Sequence, residues 1–305
     1  MCALFFIANF KGPIKMITAI IFTKDRAMQL DLLLRSIKRY SPDISEIFVS
    51  YNYSSEDSVR AYANVARDYM INTTSPAEDF IPYCNWINQS LAGFKYALVT
   101  SLEESKNENI LMLCDDSVFI NEWTMPESFP PQVKCISLYL HPRVNWSFGQ
   151  GEKIKIPKLE TFNDYPHCEK WQWDWTKQDQ HLDWGYPHNV AGHIYRKAYI
   201  SEIVNKLDFD GVNSLEGKMS WPAWKRKRDT PYMMCFDYQP LVGMALNVVQ
   251  TEIDEKNNLA VNQYSIEELN KRYLTGERIV LNFKAVNATI GNYELDFYRI
   301  EQNIG

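Results

Sequence analysis

Two aspartates stand side by side after an apolar run in Ile110-Leu-Met-Leu-Cys-Asp-Asp-Ser117. Adjacent carboxylates at the end of a buried strand stay charged only when solvated, paired or bound to a metal. Their oxygens suit Mg2+ or Mn2+, hard cations that take one or two carboxylates together with substrate phosphates. A cation held there would neutralise a departing diphosphate. The plain alternative is a solvated strand-end turn in which the acids cap the next element. Thr23-Lys24-Asp25-Arg26 follows an earlier apolar run, and Tyr51-Asn52 follows another. If these runs are parallel strands, their carboxyl ends share one rim, which is where open α/β sheets bind ligands. That rim would carry a hydroxyl, two cations, an amide and the paired acids.

The elements that must position these residues are legible from periodicity. Met16–Phe22 is a short β-branched run and reads as a buried strand. Leu30, Leu33, Leu34 and Ile37 follow with the spacing of a one-faced helix, which Ser41-Pro42-Asp43 ends. Glu46–Ser50 reads as a second strand. Ser54 or Ser55 caps a helix whose face is Val59, Tyr62, Ala66 and Tyr69, and a further helix shows Leu91, Phe94 and Leu98. Strand and helix thus alternate over the first 120 or so residues, the pattern of a largely parallel sheet covered on both faces. Cys135–Leu140 reads as a strand beyond it. Ser265–Glu268 is a capping box, Gly276 a helix stop, and Arg278–Phe283 and Tyr293–Ile300 are strand-like.

Composition narrows the function classes. The chain has 305 residues, 46% hydrophobic and 23% charged, which suits a folded protein with a sizeable core. Its net charge of −6 disfavours a general nucleic-acid binder. The six cysteines form no C-x-x-C pair, so reduced thiols in the cytoplasm are the simplest reading. The apolar start, Met1–Phe10, is too short to span a bilayer, and residues 1–15 read as an extension. No G-x-G-x-x-G, P-loop or G-x-S-x-G motif is present.

Ile17–Arg26, followed by Leu30 and Leu33–Leu34, resembles the opening of a GT-A glycosyltransferase of the family-2 type. Ile110–Phe119 is similar to the strand that leads into that fold's D-x-D motif. The resemblance implies an α/β fold, a mostly parallel central sheet flanked by helices with an acceptor-side subregion. It also implies a nucleoside diphosphate-sugar donor, held at the first two strand ends by Thr23, Asp25, Arg26 and Tyr51, with Asp115 beside it. A divalent Mn2+ or Mg2+ would bridge Asp116 to the diphosphate. The departure is Cys114, which stands at the first acidic position. On this resemblance residues 16–134 form the nucleotide-sugar half, 135–250 the acceptor side and 251–305 a C-terminal extension.

The second half is unusual in composition. All five histidines fall between His141 and His193, and seven of nine tryptophans between Trp146 and Trp224. Trp171, Trp173 and Trp175 alternate, so an extended chain puts them on one face, either as a sugar platform or as packing. Asp183-Trp-Gly-Tyr-Pro187 and Ala191–Arg196 resemble an acceptor-side segment of bacterial GT-A enzymes. Asp183 is the candidate general base, with Trp184 excluding water, Gly185 admitting a sugar and Pro187 fixing the turn. His193 is the candidate further metal ligand or substrate contact. Trp224–Arg228 carries four cations in a row, either a solvated loop or a patch for diphosphate or an anionic lipid carrier.

Taken together, these features predict a metal-assisted, hexosyl-type glycosyltransferase acting on a carbohydrate or lipid-linked carbohydrate acceptor. Its expected place is the cytoplasm, with peripheral contact at the inner membrane face. The alternatives are a non-catalytic carbohydrate-binding protein on the same fold and a sugar nucleotidyltransferase. The absence of glycine from Thr23–Met28 argues against the latter.

Overall fold

A computed structural model describes residues 16–71, 83–126, 129–162, 170–225, 228–244, 246–247, 249, 264–281, 290–291 and 295–300. The extension read at 1–15 lies outside the described residues, as do residues 226–227 of the basic run. The chain begins β1 (Ile17–Lys24), α1 (Ala27–Tyr40), β2 (Ile44–Asn52), α2 (Glu56–Ile71), β3 (Tyr83–Asn88), α3 (Gln89–Ala92), α4 (Phe94–Glu104) and β4 (Asn109–Cys114). Then come β5 (Ser117–Phe119), β6 (Val133–Ser137), a small hairpin of β7 (Trp146–Ser147) and β8 (Glu152–Lys153), β9 (Glu160–Phe162) and β10 (Lys170–Asp174). The next elements are β11 (His193–Arg196), α5 (Lys197–Lys206), α6 (Val212–Lys225), β12 (Tyr232–Phe236) and β13 (Leu241–Met244). The chain ends with α7 (Ile266–Leu274), β14 (Glu277–Ile279), β15 (Ile290–Gly291) and β16 (Phe297–Arg299).

The fold class is the expected one: α/β, a central mixed sheet with parallel core strands and helices on both faces. The main sheet runs β3-β2-β1-β4-β11-β6-β12-β10-β9. β3, β2, β1 and β4 pair in parallel. β11 enters antiparallel between β4 and β6. Side chains along β1 alternate between two cores. Ile17, Ala19 and Ile21 pack with Leu30, Leu33 and Tyr62 of α1 and α2. Ile20 and Phe22 pack with Phe94 and Leu98 of α4 and Ile200 of α5. Burial on both faces is why this strand reads as a continuous apolar run.

Several local expectations shift. The helix expected through Leu91, Phe94 and Leu98 is broken at Gly93, whose φ of 83° ends α3 and starts α4 afresh. Phe94 and Leu98 are buried, but Leu91 is 85% exposed. On α2 the buried face is Ser58, Tyr62 and Val65, and Val59 points outward. Ser55 is the residue that caps the start of α2, its Oγ accepting the Ser58 N–H at 3.1 Å. Ser265 caps α7 as expected, its Oγ accepting the Glu268 N–H at 3.1 Å, while the Glu268 carboxylate accepts from Arg272. Gly276 takes a positive φ of 88° after α7. β6 ends at Ser137, short of the expected Leu140, and β14 ends at Ile279; residues 282–283 and 293–294 of the two expected C-terminal strands lie outside the described residues. No helix among the described residues is long and apolar enough to cross a membrane.

Trp173 and Trp175 serve packing, not a sugar platform, and Trp171 lies half-buried against the same core. Trp173 and Trp175 are fully buried, and their Nε1–H groups donate to the carbonyls of Trp184 at 2.8 Å and Thr230 at 2.9 Å. An unpaired buried N–H is costly, which is why these two indoles are set against carbonyls.

The C-terminal elements are held to the first half by buried charge. Arg278 lies 3.7 Å from Asp31 and 3.2 Å from Asp68, and its guanidinium covers the Tyr273 ring at 3.6 Å. Asp31 also binds Arg35 at 2.9 Å. Burial raises the Asp31 carboxyl, and the arginines oppose that rise. Asp31 keeps Arg35 if Arg278 is removed, and Asp68 is partly exposed, so the loss is that of charged hydrogen bonds and not of a whole buried pair. Arg278→Ala is therefore expected to cost about 1.5–3 kcal/mol of stability, read as a shifted urea midpoint; a loss under about 1 kcal/mol would class the cluster with surface pairs.

Candidate active site

β2 and β3 add to one side of β1, while β4 adds to the other, so the strand order reverses at β1. Parallel sheets open a crevice at the carboxyl ends flanking such a reversal. Phe22 pairs with Cys114 across β1 and β4, and the Asp115 N–H continues the ladder to the Phe22 carbonyl at 3.1 Å. Residues 92 and 93 positions apart are thereby set side by side. Lys24 N–H donates to Asp115 Oδ2 at 3.3 Å.

A cavity of about 760 Å3 occupies this position. Thr23, Lys24 and Arg26 line it from the end of β1, and Cys114, Asp115 and Asp116 from the end of β4. Asp183, His193 and Glu216 line it from the second half of the chain. Six of the residues expected from sequence are thus brought to one space: Thr23, Arg26, Asp115, Asp116, Asp183 and His193.

Asp25 and Tyr51 are not among the lining residues. Asp25 adopts φ 60° and ties two loops together, its carboxylate accepting Ser54 N–H at 2.7 Å and Ser54 Oγ–H at 2.6 Å. An aspartate tolerates this left-handed conformation better than most side chains. Tyr51 packs against Tyr53, Tyr62 and Trp86 at the rear of the β2 end. The causes are local: Asp25 lies past the end of β1 in a left-handed turn that gives its carboxylate to Ser54, and Tyr51 is taken up by the ring cluster of Tyr53, Tyr62 and Trp86.

The centre of the site is electrostatic. Arg26 Nη1 lies 2.9 Å from Asp115 Oδ1 and 3.3 Å from Asp116 Oδ2. Its Nε donates to Asn247 Oδ1 at 2.9 Å, and Nη2 donates to the Asn247 carbonyl. Burial pushes the Asp115 carboxyl above the ordinary carboxylate range, Arg26 pulls it back, and Asp116 adds to the rise. Burial acts to lower the Arg26 pKa, but Asp115 and Asp116 outweigh it and raise the value. Asp116 is the accessible member, its side chain 34% exposed against 5% for Asp115. Burial, aided by both aspartates, raises the Cys114 thiol well above its usual range, so it stays protonated.

These facts bear on the metal. Both Asp115 oxygens are engaged, Oδ1 by Arg26 and Oδ2 by the Lys24 N–H. Among the described residues, no group of three or more His, Cys, Asp or Glu is placed to hold a metal ion. His193 lines the cavity but does not join Asp116 in such a group. Its Nδ1 lies 3.4 Å from Tyr195 Oη and 3.7 Å from Cys135 Sγ. The donor set fits a hard cation that takes one carboxylate from the protein and its remaining oxygens from diphosphate and water.

The surroundings of Asp183 differ from expectation. Trp184 turns into the core, edge-on to Trp173 at 4.8 Å, with Nε1–H donating to the Val144 carbonyl. Gly185 makes room for backbone and not for a sugar: a Cβ there would sit 2.0 Å from the Asp179 carbonyl oxygen. Asn52, expected on the rim from the end of the second strand, lines the cavity; sequence reading missed Glu216, Gln89 and Asn247, which line it too. Glu216 accepts the Val190 N–H at 3.2 Å and stands one helical turn into α6. A carboxylate following the Gly211 turn was the available signal.

No protein-family model matches the chain. The chain is 25% identical to the bifunctional glycosyltransferase pgtA of Dictyostelium discoideum, over 89% of its own length and 38% of that protein's. It therefore spans less than half of that curated relative. Among solved structures it is similar to S. aureus TarS 1–349 in complex with UDP, at 10% identity, with 72% of this chain and 57% of that one covered and a TM-score of 0.42. It is also similar to GalNAc-T7 with UDP, GalNAc and Mn2+, at 11% identity, 85% and 48% coverage and a TM-score of 0.43. A third likeness is the mannosyltransferase PcManGT from Pyrobaculum calidifontis with GDP-Man and Mn2+, at 15% identity, 45% and 42% coverage and a TM-score of 0.29.

Two expected outcomes follow from the geometry. Asp25→Ala removes two bonds to a buried carboxylate and should lower stability by about 1–3 kcal/mol, measured by urea unfolding. The second concerns acid. Burial lowers the His193 pKa to about 4 and that of His188 to about 3. Both rings bind a proton near 6.5 when unfolded but stay neutral when folded, so they cost stability as pH falls below about 6.5. His193→Gln should flatten the loss between pH 6.5 and 4 by up to about 1.4 kcal/mol per pH unit. Unchanged slopes in the variant would mean that the ring is protonated in the folded protein.

Proposed function

We propose that the chain is a glycosyltransferase that moves a sugar from a nucleoside diphosphate donor to a hydroxyl of a carbohydrate acceptor. One observation carries this reading. The cavity at the strand-order reversal gathers the β1 and β4 polar ends with two carboxylates, Asp183 and Glu216, from the second half. Its volume lies in the range of small-molecule ligand sites. The sequence similarity to a glycosyltransferase supports the same class.

In this reading Thr23, Lys24, Arg26 and Asn52 receive the nucleoside and diphosphate. Asp25 and Tyr51 support that pocket from behind, and Asp115 acts through its pair with Arg26. Asp116 would hold Mn2+ or Mg2+ together with diphosphate oxygens. When bound, the cation supplies charge neutralisation to the leaving diphosphate. His193, buried and neutral, contacts substrate from the cavity wall.

The acceptor hydroxyl oxygen forms a bond to the anomeric carbon as the bond from that carbon to the diphosphate oxygen breaks. The bonding electron pair leaves with the diphosphate. Asp183 takes the proton of the acceptor hydroxyl; Glu216, on the same cavity, is the second carboxylate able to do so. A hexosyl group is the expected cargo.

UDP and GDP are the first probes. Either should raise the melting temperature in the presence of Mn2+, by an amount equivalent to about 2.7 kcal/mol at a hundred times Kd. Asp116→Ala should abolish the Mn2+-dependent part and leave the fold intact. Asp183→Asn is expected to lower turnover by about a hundredfold with donor binding nearly unchanged, the scale of a lost general base. If Asp183→Asn is silent and Glu216→Gln carries that loss, the base is Glu216. A protein that binds sugar but never releases nucleotide from a donor would be a binding module and not a transferase.

A further inference from the structure

The Arg26 guanidinium occupies the place between two acids that a divalent cation would be expected to take. We infer that Arg26 is a built-in counter-ion and positioning residue that keeps the Asp115–Asp116 pair from taking up a divalent cation by itself. Asp116 is left to share only a cation that arrives on a diphosphate. The inference rests on the proposed donor reading for its second half alone; the first half concerns this chain's own residues.

Three observations carry it. One guanidinium nitrogen reaches both carboxylates, Asp115 at 2.9 Å and Asp116 at 3.3 Å, so the three side chains together carry a single net negative charge. The guanidinium cannot swing aside freely. Its side chain is 10% exposed, and its other two nitrogens are held by the side chain and carbonyl of Asn247. Asn247 is in turn anchored through Nδ2 to the Tyr264 carbonyl at 3.2 Å, and it is 5% exposed.

The consequence for a cation is direct. Asp115 has both oxygens engaged, the second by the Lys24 N–H at 3.3 Å, and its side chain is only 5% exposed. Asp116 keeps Oδ1 without a partner among the described residues, one hard ligand beside a fixed positive charge. A bare divalent cation there meets one carboxylate oxygen and a guanidinium of like sign. A cation already carrying diphosphate oxygens meets the same oxygen with its own charge offset. The diphosphate itself is attracted by Arg26 and Lys24. The arrangement therefore discriminates between free metal and metal–diphosphate by charge, without a closed metal cage.

The test is Mn2+ binding to the purified full chain, read from the electron paramagnetic resonance signal of free Mn2+, with Mn2+ alone and then with UDP or GDP. Arg26→Gln removes the charge and keeps hydrogen-bonding capacity; Arg26→Lys keeps the charge and loses the fork. Mn2+ alone should bind Arg26→Gln about tenfold or more tightly than wild type, the scale on which one neighbouring charge moves an ionic equilibrium. Arg26→Lys should stay close to wild type. Adding Asp116→Asn to Arg26→Gln should abolish the gain.

Equal Mn2+ affinity in wild type and a folded Arg26→Gln would overturn the inference. So would a gain in Arg26→Lys as large as in Arg26→Gln, because charge would then not be the cause. Should Arg26→Gln not fold, wild type alone decides: saturable binding of bare Mn2+, no weaker than with UDP or GDP, refutes it, and its absence supports it. A gain in Arg26→Gln with no effect of either nucleotide on wild type would keep the counter-ion and remove the donor reading.

Discussion

Parallel pairing of β1 with β2 on one side and β4 on the other is the constraint on which the rest depends. A parallel ladder places every strand's carboxyl end on the same rim. It therefore brings Thr23–Arg26 and Cys114–Asp116 together although most of a subdomain separates them in sequence. The two-residue alternation along β1 feeds one core under α1 and α2 and another under α4 and α5. Both faces being buried, the strand carries one polar residue before its last turn, Thr18, whose hydroxyl donates to Glu46, and the functional residues collect where the apolar run stops. Position in the sheet and position of the chemistry are set by the same hydrogen-bond pattern.

Charge then organises the rim. Three buried or half-buried groups of opposite sign sit within one cluster, and none could be there alone. Arg26 makes the burial of Asp115 tolerable, Asp115 raises the proton affinity of Arg26, and Asp116 remains partly in reach of solvent. Two adjacent aspartates thus have different work because their exposure differs. The same network reaches Asn247 and through it the C-terminal region, whose α7 also donates from Asn270 to the Asp25 carbonyl at 2.8 Å. The rim is braced from behind by residues distant in sequence, which is what a site needs if it is to hold its shape before a ligand arrives.

The aromatic and histidine-rich second half does quieter work than its composition suggests. Trp173, Trp175 and Trp184 fill the core beside β10 and β12, each indole N–H closing a bond to a backbone carbonyl. His188 and His193 are buried and neutral. What that half gives the cavity is Asp183, His193 and Glu216, carried on a tight turn, a strand and a helix. The turn owes its shape to Gly185, which lets the Asp179 backbone come closer than any Cβ would allow.

The amino-acid sequence by itself determined the alternation of strand and helix, the presence of β1, a cap at Ser54 or Ser55 and one at Ser265, and the candidate pair at Asp115 and Asp116. These are local: they follow from apolar periodicity and from hydrogen bonds spanning three or four residues. Which face each residue took was decided only by the tertiary structure. Val59 looked like part of a buried stripe, yet Ser58 is the residue drawn inward, because its hydroxyl accepts a bond from Asn270, 212 positions away. Asp25 and Tyr51 stood at the right strand ends but point behind the cavity, where Ser54 and the neighbouring rings claim them. Arg26 read as a contact for ligand phosphate; folding placed it first against the two aspartates and Asn247. Glu216 had only the Gly211 turn before it as a signal, and reaches the cavity because α6 packs on α5, where Glu216 accepts the Val190 N–H. Charge pairing and side-chain direction are long-range properties, fixed when the sheet closes on its partners and not before.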